Sequence, residues 1–472
     1  MCTWSVAARS HLQLAAPCCL SDLAALLAVN VPDSPLACWH GGHVQYCSPT
    51  RRSFLTGRFP VNINPDQSGM CDNFSPLEFT WLPDKLKAAG YQSHFVGKGH
   101  LGYTTSDHLP INRGYESHVG YLGGAEDYYQ ADFPGHRPVK LPGRDGLFAR
   151  NSDFWHDHAP GTDVVQDCYY STNYYSRTAV SIVEHHTTST PLFLDLRYQG
   201  VHGPYEEPPL WEQAPNSTLD PNRECGPVST CQTLRSMVAV VDSGIANLTL
   251  ALRAKKMYDN TLIIFTADNG GGMGGTEPSN NYPLRGMKGT PWDGGSRAAA
   301  FVSGGFIPAH LRGTENSAFM HVADWYPTLC VLAGVSPTDS VMFAGKIRPI
   351  DGIDAWPTLM GTAPSLGREY LPTTNQSLIY NSTWKLLVAA PSTHWFTPED
   401  DWIEDGASLN GTASGDWSCK ERTGRNISTQ GIWECMVCTD AEPCLFNLLN
   451  DPGERTNLAT QVRKRILCAI LY

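Results

Sequence analysis

Cys47-Ser48-Pro49-Thr50-Arg51, continued by Leu55-Thr56-Gly57-Arg58, sets a small reactive side chain among tight-turn residues and two guanidinium groups. Pro49 fixes its own φ, which would hold a turn around the thiol, and Arg51 presents a planar fork suited to an anion. Read alone, the first five residues also fit an ordinary surface Cys-Ser-Pro turn. What raises them above that reading is the order of the segments that follow.

Tyr91 to Val96 alternates in the manner of a strand and runs into Lys98-Gly99-His100. The lysine and histidine therefore fall at a strand's carboxyl end, where open α/β sheets place their sites. Leu192-Phe193-Leu194 opens a second strand with His202 on the loop behind it, and Thr261 to Thr266 reads as a third, ending in Asp268-Asn269. Pro283 to Lys288 and Trp292 to Arg297 then supply another lysine, Lys288. Each piece is weak by itself: a lone histidine after a strand is commonly a packing residue, and Asp-Asn-Gly is commonly a turn.

Taken together and in order, the segments resemble the type I sulfatases over about residues 40 to 460, and within them the arylsulfatase B (N-acetylgalactosamine-4-sulfatase) group. Gly120 to Tyr129, Asn280 to Gly286, Asp324 to Leu329, Trp384 to Leu387, Leu445-Phe446-Asn447 and Asp451 to Leu458 carry that similarity. It implies an alkaline-phosphatase-like α/β fold: a large mixed sheet flanked by helices, plus a smaller carboxy-terminal antiparallel sheet domain. It also implies that Cys47 is the precursor of 3-oxoalanine (formylglycine), made by a formylglycine-generating enzyme. A hydrated aldehyde has one hydroxyl to attack sulfur and a second through which sulfate can leave, whereas a cysteine adduct has no such exit. By resemblance Arg51 and Lys98 steady residue 47, His100 is the base that ejects sulfate, and Lys288 and His202 bind the ester and protonate the leaving alcohol. Residue 47, Asp268 and Asn269 would be oxygen ligands of a calcium ion acting as a Lewis acid.

The chain departs from the family pattern in two places. Relatives of this type begin with a central strand ending in an Asp-Asp pair that completes the calcium site, but before Cys47 the acids are Asp22 and Asp33, neither of them behind an apolar strand. Asp22 to Leu26 resembles the helix that follows that strand, so the first strand is expected to be missing or replaced by Met1 to Leu20. Gly99 stands where the family usually has an aromatic residue, and a glycine there is expected to loosen the loop that aims Lys98 and His100.

The chain has 472 residues, 41% of them hydrophobic, enough for a large core. A formal charge of -12 without a basic cluster excludes nucleic acid as a partner. Fifteen cysteines leave an even number once Cys47 is set aside, as in an oxidising compartment. Cys225 with Cys231, and the group Cys419, Cys435, Cys438 and Cys444, are expected to pair; a zinc site for the last four suits their irregular spacing less well. Acceptor sequences for glycosylation stand at Asn73, Asn216, Asn247, Asn375, Asn381, Asn410 and Asn426. By family the protein is expected in the secretory pathway, lysosomal or extracellular, although Met1 to Leu20 does not read as a signal peptide. No segment reads as a bilayer span.

In organisation, residues 1–40 form an atypical amino-terminal segment, 41–362 the catalytic domain and 363–472 a smaller domain with strands such as Ser377 to Ala389. Leu234 to Met257 reads as a helix whose buried face carries Leu234, Met237, Val241, Ile245, Leu248 and Leu252. Glu126 to Val165 reads as a long aperiodic insertion in which His156 and His158 are solvated rather than a metal pair. Gly270 to Gly275 lacks the Gly-Lys-Ser/Thr of a nucleotide loop and reads as a flexible active-site loop. The expected function is hydrolysis of sulfated sugars or aryl sulfates. A phospho- or phosphonate monoester hydrolase of the same superfamily, or a catalytically impaired glycan-binding relative, are the alternatives.

Overall fold

The computed structural model describes residues 36–40, 46–63, 74–129, 154–161, 170–209, 228–272, 279, 281–343, 345–374, 377–388, 390, 438–439 and 441–461. Asp22, Asp33, Cys225, Cys419 and Cys435 lie outside them, as do the acceptors Asn73, Asn216, Asn375, Asn410 and Asn426.

Two mixed sheets form the larger layer. One has the order β7-β8-β1-β9, built from β1 (Leu36–His40), β7 (Ile263–Thr266), β8 (Arg297–Ser303) and β9 (Glu315–His321). The other has the order β5-β4-β3-β2-β6, built from β2 (Gln92–Gly97), β3 (Ser117–Tyr121), β4 (Phe154–His156), β5 (Ala159–Pro160) and β6 (Leu192–Arg197). Strand β1, on the amino-terminal side of residue 41, pairs antiparallel with β8 and parallel with β9. The pairs β2–β3 and β2–β6 are parallel, so β2 and β6 deliver Lys98 and His202 at the same end of the sheet. One hydrophobic cluster joins the two sheets, with Val96 and Leu196 from one and Ile263, Phe265 and Phe301 from the other.

The helix expected over Leu234 to Met257 spans Val228–Ala254 and buries Met237, Val241, Ile245, Leu248 and Leu252 as their spacing predicts, whereas Leu234, expected on the same face, is half-buried. Contrary to the expectation that no segment reaches the length and apolarity of a bilayer span, Thr233–Ala254 does so by composition; half of it is buried inside this protein, as a core helix is. Residues 154–160, expected within an aperiodic insertion, form the β4–β5 hairpin at the sheet edge. There His156 meets the Tyr174 hydroxyl at 3.1 Å, while His158 is exposed.

The carboxy-terminal sheet is antiparallel throughout, in the order β12 (Tyr370–Thr374), β13 (Ser377–Tyr380), β14 (Trp384–Leu387), β15 (Cys444–Asn447). The stretch from Ser377 is thus a hairpin, turning at Asn381 and Ser382, both at positive φ (48° and 53°). Leu371, Ile379, Leu387 and Phe446 pack with Phe59, Trp292 and Ala323 of the larger part of the chain in a single core. Cys438 and Cys444 are joined in a disulfide. Asn381 and Asn247 are both exposed.

Candidate active site

Cys47 opens the helix Cys47–Thr56, every residue of which is buried. The expected Cys-Ser-Pro turn is therefore the first turn of a buried helix, where proline is tolerated because its missing N–H would have had no intrahelical partner. The helix stops at Gly57, in the left-handed region at φ 68°, with its N–H on Ser53 O. A Cβ there would stand 2.8 Å from the Tyr326 ring, so Gly57 is required by both conformation and space. Arg58 is fully buried on Asp339 (3.1 Å) and on backbone carbonyls; this end of the motif builds the fold rather than the site.

Around the Cys47 thiol the predicted residues converge. Lys98 Nζ donates to Cys47 Sγ at 3.1 Å, and the imidazoles of His100 and His202 lie close enough to bear on the same side chain. Arg51 reaches Asp268 Oδ2 from Nε (2.8 Å) and Nη2 (2.7 Å), and its Nη1 donates to Lys98 O at 3.0 Å. Thr50 Oγ1 donates to Asp268 O at 2.6 Å, tying the helix to the end of β7. Lys288 Nζ stands 3.0 Å from His202 Nε2. Since His202 Nδ1 donates to Gly203 O (2.6 Å), Nε2 is left to accept from the ammonium. Arg51, Lys98 and Lys288 against the Asp268 carboxylate leave an excess of positive charge at the start of a helix, a setting for an anion.

Electrostatics follow from this packing. Burial and the Asp268 charge push the Cys47 thiol up, but Lys98, His100 and His202 outweigh them and hold it well below the ordinary thiol range. Burial lowers His100, which makes it a neutral imidazole able to take a proton at neutral pH. Asp268, partly buried, is held well below the usual carboxylate range by Arg51 and Lys98.

The loop carrying Lys98 and His100 is pinned, not loosened as Gly99 led us to expect. Lys98 N donates to Arg197 O (2.7 Å), Gly99 N to Tyr121 O (2.7 Å) and His100 N to Leu122 O (2.9 Å). Gly99 is buried with only 3.0 Å between a would-be Cβ and the carbonyls of Tyr121 and Leu122, so its small size permits the close approach. Gly270 and Gly271, expected in a flexible loop, are likewise buried; Gly270 N donates to Gly295 O (3.0 Å), and Gly271 exchanges bonds with the Asn281 amide (2.8 and 3.1 Å). Residues 273–275 of that loop lie outside the described residues.

Several contributors escaped the sequence reading. Thr50 and Asn281 sat inside quoted motifs, but their roles depend on partners far away or across a loop. Gly124 faces the His100 ring so closely that a Cβ would lie 2.7 Å from it. Behind His202, Tyr128 donates its hydroxyl to His202 O (2.8 Å) and its N–H to Glu206 Oε2 (2.7 Å). Burial, with Asp127 adding its charge, pushes the half-buried Glu206 carboxyl up to about 7. A raised carboxyl favours the folded state fully below its ordinary value and loses that contribution as pH climbs toward 7. The melting temperature should therefore fall between pH 5 and pH 7.5, and Glu206→Gln, neutral throughout, should flatten the slope by roughly 1 °C, a small effect because solvent screens the group. An unchanged slope by calorimetry at the two pH values would count against the shift.

For a metal, the donors fit in kind. Asn269 Oδ1 is buried with no hydrogen-bond partner, and Asp268 commits Oδ2 to Arg51. Both are hard oxygens of the sort calcium takes. They fall short in number: among the described residues no cluster of three His, Cys, Asp or Glu side chains is placed to hold a metal ion.

Comparison with known proteins places this geometry in context. The sulfatase family model matches residues 40–335. Arylsulfatase J of Mus musculus is 32% identical over 447 residues, covering 88% of this chain; the chain spans 65% of that relative's length. N-acetylgalactosamine-6-sulfatase of Sus scrofa is 25% identical, over 88% of this chain and 72% of the relative. In fold, the crystal structure of Ps i-CgsB superposes with a TM-score of 0.66 at 24% identity, covering 93% of this chain and 84% of that one. The PsFucS1 sulfatase from Pseudoalteromonas sp. gives 0.61 at 18% identity, over 93% and 81%.

Proposed function

Because the chain belongs to the sulfatase family, we propose that it hydrolyses sulfate monoesters at Cys47, with residue 47 converted to formylglycine by a formylglycine-generating enzyme. The observation that carries this is the position of Cys47 at the buried start of a helix, touched by Lys98, His100 and His202 and linked through Arg51 to Asp268. The contacting atom in this structure is the thiol sulfur, which stands in for the hydroxyls of the hydrated aldehyde. That hydrate supplies one hydroxyl to attack sulfur and a second, once deprotonated, to release sulfate.

The chain's own residues do the rest. Lys98 and Arg51 fix residue 47 and offset negative charge as it builds on the ester oxygens. His100, neutral through burial, takes the proton whose removal frees sulfate. Lys288 and His202 bind the sulfate and deliver a proton to the leaving oxygen; their 3.0 Å contact lets the ammonium proton reach the imidazole. Asp268, Asn269 and residue 47 would hold a calcium ion, which when bound polarises the sulfate oxygens.

A sulfated sugar is the proposed substrate class, a reading supported by the relative named N-acetylgalactosamine-6-sulfatase. The Cys438–Cys444 disulfide and the exposed acceptor residues support the secretory pathway, lysosomal or extracellular. The test is turnover of 4-nitrophenyl sulfate against 4-nitrophenyl phosphate. Sulfate turnover should exceed phosphate turnover by about 10²-fold or more, and a chelator should reduce it until calcium is returned. Faster phosphate turnover would transfer the chain to phosphoryl chemistry, and no turnover of either ester would leave a binding protein.

A further inference from the structure

The loop that carries Lys288, which the proposed reaction uses, is held by Lys385 of the carboxy-terminal sheet and by Glu454 in the turn beyond it. The loop 285–293 carries it, and both ends of that loop close on one residue: Arg285 Nη1 donates to Glu454 O (3.3 Å) and Asp293 N donates to Glu454 Oε2 (2.8 Å). Lys385, on β14, reaches Asp293 Oδ1 at 2.6 Å and Glu454 Oε1 at 2.8 Å. Lys385, Asp293, Glu454 and Arg285 are all essentially inaccessible to water. Such a group of two cations and two carboxylates is rarely an economical way to hold two domains together, because desolvation offsets most of its attraction; what it gives is fixed geometry.

The loop it grips also reaches the other site residues. The Arg285 guanidinium lies 3.7 Å from the Trp292 ring centroid, Gly294 N donates to Arg285 O (2.7 Å), and Lys288 N donates to Gly271 O (2.9 Å). Gly270 N, directly after Asn269, donates to Gly295 O (3.0 Å). Glu454 itself is held at φ 53°, in the left-handed region that a non-glycine residue adopts only when its surroundings impose it.

We infer that Lys385 and Glu454 are positioning residues for catalysis: through Asp293 and Arg285 they hold the loop that aims Lys288, so the carboxy-terminal sheet is part of the catalytic apparatus. The inference rests on the function proposed above.

The experiment is a double-mutant cycle read by kcat and KM on 4-nitrophenyl sulfate. Glu454→Gln keeps the size of the side chain and should lower kcat/KM about 10-fold or more, since a small misplacement of a binding group is costly. In a Lys288→Ala background the same change should cost less than about 2-fold, because a residue acting through Lys288 has nothing left to position. Equal losses in both backgrounds, or none in either, would overturn the inference. Lys385→Arg, which keeps the charge but alters its reach, is run through the same cycle if Glu454→Gln fails to fold, and the same two outcomes decide. Wild-type turnover is the separate control: its absence counts against the proposed function, whereas the cycle alone decides the positioning role.

Discussion

Cys47→Ala should abolish hydrolysis of sulfate esters while leaving the protein folded. The thiol is small and sits at a helix start, so its removal opens little space, and Lys98, His100 and Arg51 keep their anchors on Arg197, Leu122 and Asp268. What disappears is the proposed nucleophile at the centre of the cluster. Removing a nucleophile whose neighbours act only through it costs at least about 10⁴-fold in kcat. Positive charge around the vacated position remains, and the variant should still be stabilised by inorganic sulfate in a melting experiment. Retention of more than about one per cent of wild-type activity would mean that residue 47 is not the attacking group. Peptide mass mapping of residue 47 in the wild-type protein completes the test, because formylglycine and cysteine there predict different chemistry for the same position.

The convergence on Cys47 was legible because the site is assembled from strand ends. Once Tyr91 to Val96, Leu192 to Leu194 and Thr261 to Thr266 read as strands, Lys98, His202 and Asp268 follow their carboxyl ends, and the fold brings the ends of β2 and β6 in one sheet and of β7 in the other together at Cys47. The helix Val228–Ala254 was equally readable, since its buried face repeats at three and four residues. Local chemistry misled where burial decides. Cys-Ser-Pro has the residues of a turn, yet the fold completes around it and makes it a buried helix start. Gly99 has the freedom of a loop, yet the carbonyls of Tyr121 and Leu122 remove that freedom. The contact of Asp293 with Lys385 and Glu454 had no signal at all, because nothing in the spacing of three such distant residues distinguishes a buried ion cluster from three surface charges.

Arg51→Leu is the second large effect, and it separates what the Arg51–Asp268 pair does for the fold from what it does for the reaction. Leucine fills the stem but leaves the partly buried Asp268 carboxylate without its main partner, a loss of about 2 kcal/mol, below that of a fully buried uncompensated charge because solvent reaches part of the group. The sign with pH follows from Asp268 being held well below the ordinary carboxylate range. The pair's contribution is complete above that range and is lost as pH falls below it toward the depressed value of the folded state, so the stability gap between wild type and variant should be widest near neutrality and close toward acid. Denaturant titrations at pH 7 and pH 4 read this directly, and a gap that widened with acid would refute the assignment. Adding Asp268→Leu to the variant removes the stranded charge and should recover most of the stability. Hydrolysis should not return, because Lys98 has lost its backbone anchor on Arg51 and the ester oxygens have lost a fixed guanidinium, worth about 10²-fold or more in rate. If stability and activity recovered together, the pair would be a structural brace and the positive charge at the thiol would come from Lys98 and Lys288 alone.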